Sequence, residues 1–256
     1  MAVALAGGCR VSQMREGTPL VNGTLSIWHQ IGRAVGAQAI SLRILEFACG
    51  LSPGISNNDC DDALYVFEAP DDHATVFING SFYPITSGSG IYLKPGATLT
   101  VSNPGPGPLG LISSQCPEPE SESMLGLPLT SPLPEAEQPQ RPPIVRLADR
   151  KAVPTADRWY RVLVDEEVGS TQVTQFVGSI PPGRAPDHFH NYEEVLFFLH
   201  GQGRMWAAET NTSIGPGSCV YLPRGQVHCV ENTGSDELRL LGVFYPAGSP
   251  GLRYDV

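Results

Sequence analysis

Laid over itself with a shift of 129 residues and no gap, this chain matches its own second half. Phe47 falls on Phe176, Pro53-Gly54 on Pro182-Gly183, and Val66 on Val195. Further along, Gly88 falls on Gly217, Tyr92-Leu93 on Tyr221-Leu222, and Gly96 on Gly225. Val101, Asn103 and Gly105 then meet Val230, Asn232 and Gly234. The matched residues are turn formers and strand hydrophobes, the types a shared backbone demands. A repeat of this length in 256 residues means two copies of one unit, each about the size of a small domain.

The unit is rich in β structure. With 28 Gly and 24 Pro, the chain is broken into short segments, too short for long helices. The segments SLRILEFACG, LYVFEA, RWYRVLV, TQVTQFVGSI, EVLFFLHG and LRLLGVFY have strand character. Between the halves, CPEPESESMLGLPLTSPLPEAEQPQR (Cys116 to Arg141) is acidic, Pro-rich and without a period of 2 or 3.6. The division expected is a first barrel at 1–115, a linker at 116–150 and a second barrel at 151–256, in an all-β chain.

Charge and composition exclude several roles. The net charge is −10 with only 16 Lys and Arg, so no broad basic face is available for nucleic acid or an anionic membrane. No apolar run reaches the 18 residues that a membrane helix needs. The opening MAVALAGGCR lacks the basic start and the apolar length of an export signal. The six cysteines are scattered and form no CxxC, which fits reduced thiols and a cytoplasmic location.

The chemistry concentrates in DHFHNYEE, residues 187–194. His188, His190 and Glu194 share parity, so an extended strand would project all three from one face. Downstream, GSCVYLPRGQVHCVEN places His228 three residues after Gly225. Imidazole nitrogens with a carboxylate oxygen suit one divalent transition metal such as Fe, Mn, Zn or Ni. Four such ligands leave one or two coordination positions open, which is the mark of a catalytic site.

These segments resemble the two signatures of the cupin superfamily. The stretch from Gly183 to Gly201 is similar to G-x5-HxH-x3,4-E-x6-G, one residue short after the first glycine. The second, G-x5-PxG-x2-H-x3-N, is matched at Gly217, Pro223, Gly225, His228 and Asn232. The resemblance implies a bicupin, two tandem jelly-roll β-barrels, with His188, His190, Glu194 and His228 as metal ligands. It also implies a homodimer as a plausible assembly. The same 129-residue shift puts Asp59, Asp61, Tyr65 and Leu99 at the ligand positions of the first half. Leucine cannot ligate, so the first barrel is expected to be degenerate.

Glu194 and Tyr192 are the candidates for proton transfer beside the metal. Arg184, Arg204 and Arg224, the basic residues nearest the motifs, are candidates to hold a substrate carboxylate. Leu196 and Phe198 are expected inside the barrel. The expected function is metal-dependent chemistry on a small molecule, with a dioxygenase-like oxidoreductase favoured. The alternatives are a non-redox hydrolase, lyase or isomerase and a cupin that only binds a small molecule. The bicupin ureidoglycine aminohydrolases are similar in carrying a metal in the C-terminal barrel, but they use a different ligand set.

Overall fold

The computed structural model describes residues 1–70, 74–132, 141–252, 254 and the backbone of 255. Strands dominate, and the only helical pieces among the described residues are four three-residue 3-10 turns. Alternation along each strand builds the layers. In Glu193–His200, Val195 and Phe197 point to one core while Leu196 and Phe198 point to another.

Each half is a sandwich of one large and one small sheet. The large sheet of the second half runs Arg10–Gln13, Ser218–Leu222, Glu193–His200, Leu238–Tyr245, Thr174–Ile180, Arg158–Val164, Val153–Thr155, with Val3–Ala4 added at the first edge. The first half repeats this order as Ile144–Arg146, Ser89–Leu93, Asp61–Glu68, Leu109–Cys116, Leu42–Phe47, Leu25–Ile31, Leu20–Asn22. The small sheets centre on Thr98–Asn103 and His228–Asn232. Each barrel has its own core. A third core, with Ile44, Tyr65, Ile112, Val177, Phe197 and Leu241 among its members, joins the outer faces of the two large sheets.

Strand pairing crosses the boundaries expected at 115 and 150. Arg10–Gln13, near the start of the chain, pairs with Ser218–Leu222 of the second barrel. Ile144–Arg146 pairs with Ser89–Leu93 of the first, and Met124–Gly126 pairs with Gly54–Ser56. The expected linker therefore supplies two strands to the first barrel, and the amino-terminal strand completes the second. The acidic, Pro-rich composition hid them, because a three-residue edge strand is too short to show a period. Residues 133–140 of that linker lie outside the described residues.

The repeat is real, but its interval changes along the chain. From Thr75 onward it is 129 residues, as in Asn103 and Asn232, which each bond two backbone carbonyls from Nδ2. In the earlier strands it is longer. Phe47 pairs with Leu109 as Ile180 pairs with Leu238. Asp62 lies opposite Leu93 and Gln115 as Glu194 lies opposite Leu222 and Phe244. Ile55 lies opposite Leu99 as His188 lies opposite His228. The amide of Gly96 donates to the Asn57 carbonyl as that of Gly225 donates to His190, 2.8 Å in each case.

The first-half counterparts of the four candidate ligands are therefore Ile55, Asn57, Asp62 and Leu99. The Asp59, Asp61 and Tyr65 expected from a constant shift are corrected, and Leu99 stands. The first half carries one extra residue between Asn57 and Asp62 and more between Glu68 and Thr75. An ungapped comparison slips at both places.

Candidate metal centre

The HxH segment is held from both sides. His188–Phe189 pairs with His228 on one edge and with Tyr254–Asp255 on the other. Phe189 turns outward and stacks on Tyr254 with centroids 5.4 Å apart. The bond from Gly225 to the His190 carbonyl ties the Pro223–Gly225 turn beneath the same segment. Gly225 sits at φ +76°, a left-handed conformation that glycine adopts without strain.

These constraints bring His188, His190 and His228 together. One ring nitrogen from each lies within 4.8 Å of the others, and ring centroids are 4.5–5.2 Å apart. In each ring Nδ1 faces a backbone carbonyl: Pro186 at 3.0 Å, Leu252 at 3.1 Å and Gln226 at 2.8 Å, in that order. A carbonyl can only accept, so Nδ1 carries the proton and Nε2 carries the lone pair. This second shell sets tautomer and ring direction, as it does at metal-bound imidazoles. The Glu194 carboxylate lies 3.7 Å from His190 Nε2. The donor set thus fits a divalent metal in ligand type and tautomer.

Burial controls protonation here. Desolvation, with His188 adding to it, lowers His190 to about 4 and His228 to about 3, while their carbonyl partners pull the other way. Desolvation pushes Glu194 up to about 8. At neutral pH, without metal, His190 and His228 are neutral imidazoles beside a protonated Glu194 carboxyl. Tyr192 lies flat between His190 and Phe244, 4.7 and 4.2 Å from their centroids. Burial raises its phenol well above the ordinary value, so the ring serves as packing behind His190.

The cluster opens into a cavity of about 120 Å³. Phe176, Ile180, Leu196, Val230 and Leu240 make it largely apolar. Phe176 fits because residue 242 is glycine: a Cβ there would lie 2.4 Å from the Phe176 ring. None of the three arginines nearest the motifs lines it. Arg184 covers the Trp206 ring at 4.3 Å and bonds Asp187, while Arg204 bonds Asn211 on the surface. Among the described residues Arg158 is the one arginine in the wall, and no lysine lines it. Sequence proximity to the motif missed it. The available signal was its alternation with Tyr160 in RWYRVLV.

Comparisons with known proteins agree with this picture. Residues 176–244 match the cupin domain family model. Auxin-binding protein 1 of Arabidopsis thaliana is 32% identical over 84 residues, 28% of this chain and 42% of that protein. An auxin-binding protein of Nicotiana tabacum is 32% identical over 87 residues, 29% and 46%. The chain spans less than half the length of these relatives. Two mutant structures of Bacillus subtilis oxalate decarboxylase superpose with TM-scores of 0.75 and 0.76. Each covers 96% of this chain and 79% of that one, at 14% and 13% identity, which speaks for the fold alone. Residues 176–244 thus form a cupin domain, and the chain as a whole has the two-barrel fold of these structures.

Proposed function

We propose that this chain is a metal-dependent enzyme acting on a small molecule, with one divalent transition metal held by His188, His190, His228 and Glu194. The observation that carries the reading is the set of three imidazoles, each anchored at Nδ1, converging beside a buried carboxyl at the end of an apolar cavity. A metal bound there would supply Lewis-acid or redox chemistry at its open positions. The chain's own part is to orient the rings, exclude water with Phe176, Ile180 and Leu240, and keep Glu194 near neutrality as a ligand able to take up or release a proton.

A dioxygenase-like oxidoreductase is the favoured class, since a dry, open-sided site suits a substrate and O2 together. The fold shared with oxalate decarboxylase favours a second, non-redox reading as a lyase or related metalloenzyme. Elemental analysis of the purified chain beside His228→Ala, followed by O2 uptake with phenolic, thiol and diketone substrates, separates them. One iron per chain, lost in the variant, with substrate-dependent uptake supports the first class. Stoichiometric Mn, Zn or Ni without uptake supports the second. A chain that takes up no metal after loading breaks the proposal.

A further inference from the structure

The first barrel is a control for the second. It shows what each interior position holds when the barrel encloses no sizeable cavity. Asn22 lies opposite Leu25 as Thr155 lies opposite Arg158, and Leu20 opposite Ile27 as Val153 opposite Tyr160. Leu25 and Arg158 are therefore equivalent. Leu25 is completely buried in the first barrel's core. Arg158 lines the second barrel's cavity, with its side chain 18% exposed. Strand alternation gives Arg158 the same face as Tyr160, whose ring meets Phe176 edge-on at 6.3 Å inside the barrel. Trp159 also borders the cavity, with its ring under the guanidinium groups of Arg161 and Arg239.

Two of the remaining differences point the same way. Arg43 of the first barrel is equivalent to Phe176, and Gln115 to Phe244. The second barrel has traded polar interior groups for aromatic ones, yet it has gained a cation where the first has leucine. An arginine beside an apolar wall calls for a partner. Among the described residues its one hydrogen bond runs from Nε to Asp157, at 3.0 Å, and that carboxylate is itself 64% exposed. The bond leaves the Nη edge of the guanidinium, the edge suited to a planar, bidentate carboxylate.

We infer that the cavity takes an organic acid with an apolar body, and that Arg158 is the specificity-determining residue that holds its carboxylate. The inference deepens the proposed function and rests on its reading of this cavity as the substrate site. Size agrees. At about 10–15 Å³ per water-sized group, the 120 Å³ cavity has room for roughly ten non-hydrogen atoms. A small arylalkanoic acid meets all three conditions: a charged end, an apolar ring and that size.

The probes are phenylacetate and its neutral isostere phenylacetamide, titrated calorimetrically into the metal-loaded wild type, Arg158→Gln and Arg158→Lys. Metal content and melting temperature are measured for each protein. The acid is expected to bind the wild type and to weaken about ten- to a hundredfold in Arg158→Gln. Arg158→Lys is expected to fall between, and the amide to be indifferent to either substitution. Acid affinity unchanged in a folded, metal-containing Arg158→Gln would overturn the inference, as would failure of the wild type to bind the acid. A wild type that holds no metal breaks the proposed function instead, and the acid-against-amide difference still decides the role of Arg158.

Discussion

At four equivalent inward positions the first barrel holds Ile55, Asn57, Asp62 and Leu99, and the second holds His188, His190, Glu194 and His228. In the first barrel the surviving carboxylate is met by an internal cation. Arg43, 1% exposed, bonds Asp62 at 3.0 Å, and both groups bond Ser113. The cavity that Asp62 lines with Ile55, Asn57 and Leu99 is about 10 Å³, roughly one water. In the second barrel Phe176 replaces Arg43 and Gly242 replaces Ser113, so among the described residues no arginine pairs with Glu194, which lies 3.7 Å from His190 Nε2 and lines the cavity with the three imidazoles. The comparison teaches that one carboxylate position can be closed by an arginine or left to a metal, and that the residue two strands away in the same sheet, Arg43 or Phe176, decides which.

The adjacent acids divide their work in the same way in both copies. Glu193, one residue before Glu194, points to the other face and accepts bonds from the amides of Gln38 and Ala39 and from Tyr221. Asp61, one before Asp62, accepts from Tyr92 and Gln172. Each pair sends one carboxylate to the joint between the barrels and one into its own interior, because successive side chains on a strand alternate.

The largest expected effect comes from breaking the closed barrel. Arg43→Ala leaves Asp62 buried without its partner, and removing one member of a buried pair costs about 3–5 kcal/mol. Urea unfolding should show that loss while the metal content of the second barrel stays at the wild-type level. A loss under about 1 kcal/mol would mean that Asp62 is carried by its serine partners and that the ion pair is not what closes the barrel. Next in size is His228→Leu, which copies Leu99 into the second barrel. Metal affinity, read by competition with a chromophoric chelator, should fall at least about a hundredfold, since even second-shell changes cost 10–100-fold. The metal-free variant should be no less stable than the wild type. Retained affinity would remove His228 from the ligand set.

Much of this contrast was legible in the sequence, and the rest was lost for definable reasons. The HxH segment and the Pro223–Asn232 turn announced the three histidines, because tight turns and strand parity fix such spacings locally. Duplication was visible as well, but a constant shift misplaced Asp62 by three positions, since insertions in turns leave no mark in an ungapped comparison. Arg158 and the Leu252 carbonyl, remote in sequence from the motifs, reach the site only through sheet pairing and the return of the carboxyl-terminal segment. The swapped edge strands Arg10–Gln13 and Ile144–Arg146 were hidden for the same reason: their partners are more than fifty residues away.

A smaller effect separates the two adjacent acids. Glu193→Gln removes the charge that holds two amides and a phenol at the barrel joint, and should cost about 1–3 kcal/mol of stability without touching metal content. Glu194→Gln should do the reverse, lowering metal affinity while the metal-free chain melts at or above the wild-type temperature, because burial already disfavours that charge. If both variants lose metal, the division of labour between the two faces of the strand is wrong.

The last test is a pH profile of the metal-free chain, and its sign follows from three groups. Glu194 is raised to about 8 from an ordinary 4.5, so between those values the folded chain holds a proton that the unfolded chain has released. Its contribution to stability grows as pH falls from 8. His190 and His228 are lowered to about 4 and 3 from 6.5, so below 6.5 the unfolded chain takes up two protons that the folded chain refuses. Their contribution is present above 6.5 and is lost as pH falls toward 4 and then 3. Above 6.5 the carboxyl acts alone; below it the two imidazoles outweigh the carboxyl by one proton, or about 1.4 kcal/mol per pH unit. These groups therefore place a stability maximum near pH 6.5. His190→Asn with His228→Leu gives the second barrel the residues of the first at those positions, and should abolish the acid limb of the profile relative to wild type. Glu194→Gln should abolish the alkaline limb and leave the acid one. An unchanged acid limb in the double variant would show that the imidazoles are solvated in the metal-free chain, and that the second barrel is not the dry counterpart of the first.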